Sequence, residues 1–307
     1  MNNLKENNLF GIELGLGAWQ WGEKNVWGYG DHYFEEDIEN AFLSSLHLGV
    51  RMVDTAEIYG NGRSEKILGT LLKKSGLKPT IASKYFPFPW RWTKGSVERA
   101  FDNTLSRIGI DYLDLYQIHW PTPIVPAEIQ LDGIAGMVRK GRLGAIGVSN
   151  FSQTQMMRAV QILMKHDLPL ASNQIEFNLL NRSAERNGLL KRCQELGIRV
   201  IAYSPLAMGM LTGKYTPENP PSGFRGIKYK RQLQQLLPLT RLMTEIGQEL
   251  GGKSLSQIAI NWCICNGTMP IPGAKNQQQA EANAGALGWR LSDDQVAALD
   301  KASEAFA

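Results

Sequence analysis

The fold is decided by a stretch in which a short apolar run ends in polar and aromatic residues, Val50-Arg51-Met52-Val53-Asp54-Thr55-Ala56-Glu57-Ile58-Tyr59-Gly60. Two later apolar runs have the same form and end at Lys84 and at His119. Asp54, Lys84 and His119 are separated by 30 and 35 residues, which is about one strand–helix unit of roughly 30 residues. If the three strands are parallel neighbours, these side chains and Tyr59 meet at one end of one sheet.

Apolar runs and helical stretches alternate about eight times along the 307 residues. Strands that alternate with helices indicate a parallel sheet. Eight units without a linker favour a closed α/β fold, a (β/α)8 TIM barrel, over an open doubly wound sheet, with one domain over residues 1–307. The predicted strands end at Trp19, Asp54, Lys84, His119, Ser149, Gln174, Tyr203 and Ile271.

Three segments lie outside this regular alternation. Residues 10–17 alternate weakly and are expected to form an N-terminal hairpin at the bottom of the barrel, before the first strand. Residues 206–238 are rich in Pro and Gly and too long for an ordinary connection, so they predict a long loop after the seventh strand. Ser292 is expected to cap a C-terminal helix.

Composition and charge argue against several functional classes. The chain has 33 basic and 29 acidic residues, a formal net charge of +4 and no run of five like charges, so we expect neither nucleic acid nor a membrane as partner. The three cysteines lack metal-ligand spacing, and no apolar run approaches the roughly 18 residues of a membrane span. A soluble cytoplasmic protein without a metal ion is therefore expected. The sequence contains neither the glycine fingerprint of dinucleotide-binding folds nor a P-loop.

The four polar side chains suit proton transfer to a carbonyl oxygen. A tyrosine pKa of about 10 is too high for efficient proton donation at neutral pH, and a neighbouring Lys84 ammonium would lower the pKa of Tyr59. Asp54 can serve as the counter-ion of Lys84, and His119 can orient a substrate oxygen through a hydrogen bond. None of the four can donate a hydride, so a reduced cofactor is implied.

Further motifs follow in order along nearly the whole chain. They are Asp54-Thr55-Ala56-Glu57-Ile58-Tyr59-Gly60, Ser83-Lys84, Asp111-Tyr112-Leu113-Asp114-Leu115-Tyr116-Gln117-Ile118-His119-Trp120, Gly147-Val148-Ser149-Asn150-Phe151, Asn173-Gln174-Ile175-Glu176-Phe177-Asn178, Tyr203-Ser204-Pro205-Leu206, Leu211-Thr212-Gly213-Lys214-Tyr215 and Ile271-Pro272-Gly273-Ala274-Lys275. In these motifs the chain resembles the aldo-keto reductase superfamily. The late Gly-Ala-Lys sequence and residues 281–289 resemble the bacterial and plastid-type NADP-dependent members.

The resemblance implies a role for each matching residue. Tyr59 would be the general acid in reduction, Lys84 paired with Asp54 would tune it, and His119 would orient the carbonyl. The hydride would come from NADPH bound in an extended form across the mouth of the barrel. The expected cofactor contacts are Trp19, Ser149, Asn150, Gln174, Tyr203, Ser204, Pro205, Leu206, Gly209, Leu211, Gly213, Lys214, Arg225, Gly273, Lys275, Gln279 and Asn283.

The preference between NADPH and NADH depends on cations near the 2′-phosphate. Lys275 and a basic segment that includes Arg225 favour NADPH, although Gln279 stands where many superfamily members carry Arg. The substrate is expected to be a small carbonyl compound, and the chain a monomer or weak oligomer. Tryptophans near strand ends suggest an aromatic wall for the substrate, namely Trp19, Trp21, Trp27, Trp90 and Trp120, with Trp21, Trp90 and Trp120 as the substrate contacts.

Two other functions stay open at this point. The first is a nicotinamide-binding regulatory subunit with little turnover, because some members of the superfamily keep the four residues yet act mainly as partners of a membrane channel. The second is an aldolase that forms a Schiff base on Lys84. The motifs around Ser149, Asn150 and Gln174 argue against the aldolase.

Overall fold

The computed structural model describes residues 8–221 and 224–306, with side chains described except at residues 8 and 224–231. Its eight strands form one parallel sheet in the order of the chain, and neighbouring strands pair in register from first to last. This arrangement confirms the (β/α)8 barrel. The strands are β1 (Gly15–Gly17), β2 (Met52–Asp54), β3 (Thr80–Tyr85), β4 (Leu113–Ile118), β5 (Leu143–Ser149), β6 (Ser172–Glu176), β7 (Arg199–Tyr203) and β8 (Met269–Pro270).

The helices follow the strands and carry ordinary end signals. Thr93 and Ser292 accept hydrogen bonds at helix N-termini, and the Ser292 cap confirms the predicted C-terminal helix. The α-helices of the described residues are α1 (Lys24–Trp27), α2 (Glu35–His47), α3 (Arg63–Ser75), α4 (Lys94–Ile108), α5 (Ala127–Arg139), α6 (Gln153–Met164), α7 (Ser183–Arg186), α8 (Leu189–Glu195), α9 (Phe224–Glu249), α10 (Leu255–Cys265), α11 (Gln277–Ala284) and α12 (Asp293–Ala302). None of the helices in this part of the chain is long and apolar enough to cross a membrane.

The predicted N-terminal hairpin is wrong. Gly15–Gly17 is itself the first barrel strand, and the preceding residues Asn8–Gly11 form a 3-10 helix. Leu9 and Ile12 pack against apolar side chains of the strands, so this segment does contribute to the core of the barrel. The sequence was misleading because a strand with glycine at two of three positions looks like a turn.

The barrel closes where β1 meets the residues that follow β8. The N–H of Gly17 donates to the carbonyl oxygen of Pro272 at 3.0 Å, and Gly17 pairs with Gly273 in a parallel bridge. A Cβ atom on Gly17 would lie 2.7 Å from the main-chain oxygen of Ile271. The closure therefore depends on the absence of a side chain at residue 17.

We expect Gly17→Ala to lower the free energy of unfolding by about 1–3 kcal/mol, since the two strands must separate to admit the methyl group. Urea denaturation measures this change. Gly136→Ala is the control, because a Cβ at this position in α5 meets nothing within 4 Å. The control should gain about 0.5–1 kcal/mol from the better helix propensity of alanine, and equal stability of the two variants would contradict the expectation.

The predicted long loop after the seventh strand is only partly correct. Residues 204–221 are irregular except for a 3-10 helix over Ala207–Thr212, but α9 begins at Phe224 and contains Pro238 in its interior. A proline inside a helix removes one hydrogen bond and usually marks a break. Here the helix continues through the proline, which is why the sequence placed the end of the loop too late.

Candidate active site

The four residues predicted for proton transfer converge at the carboxyl ends of the strands. Asp54 ends β2, Lys84 is the penultimate residue of β3, and His119 directly follows β4. Tyr59 opens a short 3-10 turn just beyond β2. In a (β/α)8 barrel this is the end at which active sites lie.

Lys84 is the centre of this group. Its side chain is 1% exposed, and it forms an ion pair with the Asp54 carboxylate. Lys84 Nζ also donates to the carbonyl oxygen of Thr55 at 2.9 Å and to the hydroxyl of Tyr59 at 3.2 Å. An ammonium has three N–H donors, so each of them has a partner in this arrangement.

The other oxygen of the Asp54 carboxylate is held by two glutamine amides. Gln174 Nε2 donates to Asp54 Oδ2 at 2.8 Å, and Gln117 Nε2 donates to the same oxygen at 3.2 Å. The role of Gln117 was not foreseen from the sequence. The available signal was a polar side chain within the apolar strand β4, since a buried amide requires hydrogen-bond partners.

The pKa of Tyr59 differs in direction from the expectation. Burial raises the pKa of the Tyr59 phenol above its ordinary value of 10.0, the Lys84 ammonium lowers it in part, and the Asp54 carboxylate raises it again. The net shift is upward, because burial outweighs the ammonium. Tyr59 therefore keeps its proton at neutral pH, as a general acid must before it acts.

The charges of Lys84 and His119 are also fixed by their surroundings. Burial opposes the charged form of Lys84, but Asp54 and Tyr59 outweigh it and raise the pKa of the ammonium. Burial and the nearby Lys84 charge lower the pKa of His119 to about 2. The imidazole is thus neutral at physiological pH and can donate one hydrogen bond to a substrate oxygen.

A cavity of about 650 Å³ has Asp54, Tyr59 and His119 in its wall. This volume lies within the range of pockets that hold small molecules and cofactors. Most residues predicted to contact the cofactor or substrate line the same cavity. These are Trp19, Trp120, Ser149, Asn150, Gln174, Tyr203, Ser204, Pro205, Leu206, Gly209, Lys214, Gly273, Lys275, Gln279 and Asn283.

Among the residues with described side chains, two predicted cofactor contacts, Leu211 and Gly213, are not in the cavity wall. The side chain of Leu211 is completely buried in the hydrophobic core, so its predicted place in the loop around the pyrophosphate could involve only its main chain. Gly213 lies beside the cavity rather than in its wall. The side chain of Arg225 falls outside the described residues.

The predicted tryptophan wall divides into two groups. Trp19, Trp27 and Trp120 line the cavity. Trp21 is fully buried and its indole N–H donates to the carbonyl oxygen of Ala274, so the predicted substrate contact is wrong. Trp90 is 71% exposed and stacks on Phe88 outside the cavity wall, which does not support its predicted substrate contact.

A polar cluster occupies the wall beside Tyr59 and His119. Tyr203 OH donates to Asn150 Oδ1 at 3.0 Å, and Asn150 Nδ2 donates to Ser149 Oγ at 3.0 Å. The hydroxyl of Ser149 in turn donates to the main-chain oxygen of Gln174 at 3.0 Å. Ser149 ends β5, Asn150 directly follows it, and Tyr203 ends β7, while β6 supplies the main-chain oxygen of Gln174. These groups hold one another in place.

The main chain at this side of the cavity is strained. Asn150, Ser204, Ala207 and Met208 have φ angles of 62°, 51°, 47° and 54°. A left-handed conformation costs a residue other than glycine about 1–3 kcal/mol, and such residues concentrate at functional sites. Three of the four, Asn150, Ser204 and Met208, line the cavity.

The cavity wall also carries a positive charge, at Lys275. Lys275 Nζ donates to the carbonyl oxygen of Trp27 at 3.1 Å and lies 4.8 Å and 4.7 Å from the ring centres of Trp27 and Tyr33. The main-chain N–H of Lys275 donates to Gln279 Oε1 at 3.0 Å. The wall around Lys275 therefore combines an ammonium with aromatic surface, both of which suit a nucleotide.

Sequence reasoning missed several residues of the cavity wall. Gln20 lies so close to Gly273 that a Cβ on Gly273 would be 2.0 Å from Gln20 Oε1. That buried oxygen has no hydrogen-bond partner among the described residues, so it remains available to a ligand. The wall also includes Tyr215, the last residue of the motif that begins at Leu211, and Met208 and Ser256, for which the sequence offered no distinct signal.

The aldo/keto reductase family model matches residues 13–304. The chain is 40% identical to the chloroplastic pyridoxal reductase of Arabidopsis thaliana, over 95% of this chain and 83% of that protein. It is 32% identical to an aldo-keto reductase of Bacillus subtilis, over 95% of this chain and 90% of that protein.

Solved structures agree with these sequence relationships. A glycerol dehydrogenase from Gluconobacter oxydans superimposes with a TM-score of 0.84 at 26% identity, over 94% of this chain and 90% of that chain. An aldo-keto reductase from Klebsiella pneumoniae, solved in complex with NADPH, superimposes with a TM-score of 0.75 at 27% identity, over 94% of this chain and 90% of that chain. With the fold, the four converging residues and these matches taken together, the chain belongs to the aldo/keto reductase family.

Proposed function

We propose that the protein is an NADPH-dependent reductase that converts aldehyde or ketone carbonyls to alcohols, with Tyr59 as the general acid. The observation that carries the proposal is the Lys84 ammonium, buried between Asp54 and Tyr59 next to a cavity with nucleotide-binding features. Membership of the aldo/keto reductase family supports it.

The residues present fit a nicotinamide dinucleotide. The polar cluster of Ser149, Asn150 and Gln174 would hold the nicotinamide amide, and Lys214 and Lys275 would bind phosphates along the same cavity. The unpaired buried oxygen of Gln20 offers a further acceptor. The Klebsiella pneumoniae relatives, solved with NADPH and with NADP and acetate, support this choice of cofactor.

The protein side chains would supply the proton half of the reaction. When bound, NADPH supplies the hydride to the carbonyl carbon. Tyr59 gives its proton to the carbonyl oxygen as negative charge develops there, and Lys84 stabilises the phenolate that remains. His119, being neutral, orients the same oxygen through a hydrogen bond.

The aldolase alternative has little support. A Schiff-base lysine needs a lowered pKa and access to the substrate. Lys84 has a raised pKa, is 1% exposed and has three hydrogen-bond partners.

For a regulatory subunit with little turnover, the discriminating result would be a stoichiometric membrane partner together with negligible reduction of every carbonyl tested.

A flat aromatic aldehyde is the substrate class that the cavity favours. Trp19, Trp27 and Trp120 present aromatic surface near Tyr59 and His119. Aromatic rings stack favourably on such surfaces. Because the Arabidopsis thaliana relative is a pyridoxal reductase, we propose pyridoxal as the first compound to test.

The decisive experiment is NADPH oxidation with a panel of carbonyl compounds, run beside NADH. The panel should contain pyridoxal, an aryl aldehyde without the pyridine ring, a short aliphatic aldehyde and a sugar aldehyde. We expect turnover with NADPH and highest kcat/KM for the aromatic aldehydes. No oxidation above the rate without protein, for any compound, would reject the proposed reductase.

We expect Lys275→Met to weaken NADPH binding by about 10- to 100-fold while NADH binding stays within a few fold, because a hydrogen bond to a charged group contributes about 1.5–3 kcal/mol. Lys214→Met is the matched control. Lys214 lines the same cavity, and loss of a pyrophosphate contact there would weaken both cofactors equally. Fluorescence titration measures the dissociation constants of NADPH and NADH for the wild type and both variants, and equal losses for both cofactors in Lys275→Met would contradict a 2′-phosphate contact.

A further inference from the structure

Gln117 is a polar side chain enclosed inside the barrel. It is 0% exposed and does not belong to the wall of the cavity. Its Nε2 donates to Asp54 Oδ2 at 3.2 Å, and its Oε1 accepts a long hydrogen bond of 3.5 Å from Ser172 Oγ. The amide thus connects the carboxylate of the proton-transfer group to a neighbouring strand.

The surrounding strands leave space for this amide. Gln117 lies in register with Lys84 on β3 and with Gly147 on β5, and Gly147 lies in register with Ser172 on β6. A Cβ on Gly147 would lie 2.8 Å from Gln117 Cγ and 2.3 Å from Ser172 Oγ. The interior of such a barrel is usually filled by layers of apolar side chains, so a polar row with a glycine beside it suggests a specific role.

Gln117 differs from Gln174, the second amide on the same oxygen. Gln174 lines the cavity and can share its amide with a bound ligand. Gln117 lies behind the carboxylate, away from the cavity wall. Its hydrogen bond to Asp54 therefore stays in place whatever the cavity contains.

We propose that Gln117 is a positioning residue for carbonyl reduction, which holds Asp54 Oδ2 so that Oδ1 faces Lys84 and the Lys84 ammonium faces Tyr59. The proposal rests on the proposed reductase function. It assigns to Gln117 an effect on proton transfer, with no contact to cofactor or substrate.

The electrostatic consequence can be stated from the groups around Tyr59. These are Asp54 from β2, Lys84 from β3, His119 after β4 and Tyr203 from β7. Without the Gln117 N–H, the negative charge of Asp54 is less compensated and disfavours the Tyr59 phenolate more strongly. Tyr59 then becomes a weaker acid, and the pH above which reduction slows moves upward.

The test is Gln117→Met, which keeps the approximate size of the side chain and removes the amide. We expect kcat for reduction at neutral pH to fall about tenfold, equivalent to about 1.4 kcal/mol. The alkaline limb of the pH profile should move up by about half to one pH unit, while the dissociation constant of NADPH stays unchanged. If Gln117→Met does not fold, Gln117→Leu is measured in the same way.

Gln130→Met is the matched control. Gln130 is 2% exposed in α5 and donates to the carbonyl oxygen of Val125, so this variant also loses a buried amide. We expect a pH profile like that of the wild type. The positioning role is overturned if the alkaline limb of the pH profile does not move in Gln117→Met, or if both variants lose kcat equally without any pH shift. Either result leaves the reductase proposal intact.

A readout without turnover separates the two proposals. If the wild type reduces no carbonyl, the reductase proposal fails, and the titration of Tyr59 is then followed by NMR of tyrosine labelled at Cζ, with Tyr59→Phe identifying the signal. A Tyr59 signal that keeps its proton to higher pH in the Gln117 variant than in the wild type supports the positioning role. The same titration behaviour in both proteins rejects it.

Discussion

Tyr59→Phe is expected to lower the rate of carbonyl reduction by about 10³-fold, within the range assigned to a positioned general acid. Phenylalanine keeps the ring and its edge-to-face contact with His119, whose ring centre lies 5.6 Å away. Only the hydroxyl that carries the proton is lost. The polar cluster beyond Tyr59 and the lysines of the cavity are untouched, so NADPH should bind with nearly the same affinity.

Single-turnover kinetics and fluorescence titration measure these two quantities separately. Tyr203→Phe is the control, since it removes another hydroxyl from the same cavity, one that is bonded to Asn150 rather than to Lys84. We expect this control to lose less than about tenfold in rate, as for a single neutral hydrogen bond. Turnover of Tyr59→Phe close to that of the wild type would remove Tyr59 from the role of general acid.

The positions of the residues proposed for proton transfer could be predicted because three of the four lie at strand ends. Asp54, Lys84 and His119 follow apolar runs at intervals of one strand–helix unit, and parallel strands place such residues at the same end of the sheet. The prediction required only periodicity and topology. The direction of the Tyr59 pKa shift could not be predicted from the sequence, because it depends on the balance between burial and the Lys84 ammonium 3.2 Å away.

Other features depend on distances that the sequence does not contain. Trp21 and Trp19 are two residues apart, a spacing that would place both on one face of a strand. Residues 19–22 form a turn instead, and Trp21 lies in the core while Trp19 lines the cavity. Gly15 and Gly17 resemble a turn but form a strand, since their small size lets the barrel close. Gln117 became significant only when its amide was found next to Asp54.

Lys84→Met is expected to abolish turnover and to lower the free energy of unfolding by about 3–5 kcal/mol, as when one partner of a buried ion pair is removed. The side chains of Lys84 and Asp54 are 1% and 2% exposed. Water therefore cannot compensate the carboxylate that loses its ammonium. Tyr59 also loses the cation that stabilises its phenolate, so proton donation fails for a separate reason.

The double variant Lys84→Met with Asp54→Asn separates these two effects. The asparagine removes the uncompensated charge, and its side-chain oxygen can still accept from Gln117 and Gln174. We expect urea denaturation to show recovery of at least about half of the lost stability, because an uncharged pair avoids the cost of burying an unpaired ion. Reduction should stay undetectable, since Tyr59 still lacks its ammonium. Recovery of activity together with stability would mean that Lys84 supports the fold alone, whereas stability without activity assigns Lys84 to proton transfer.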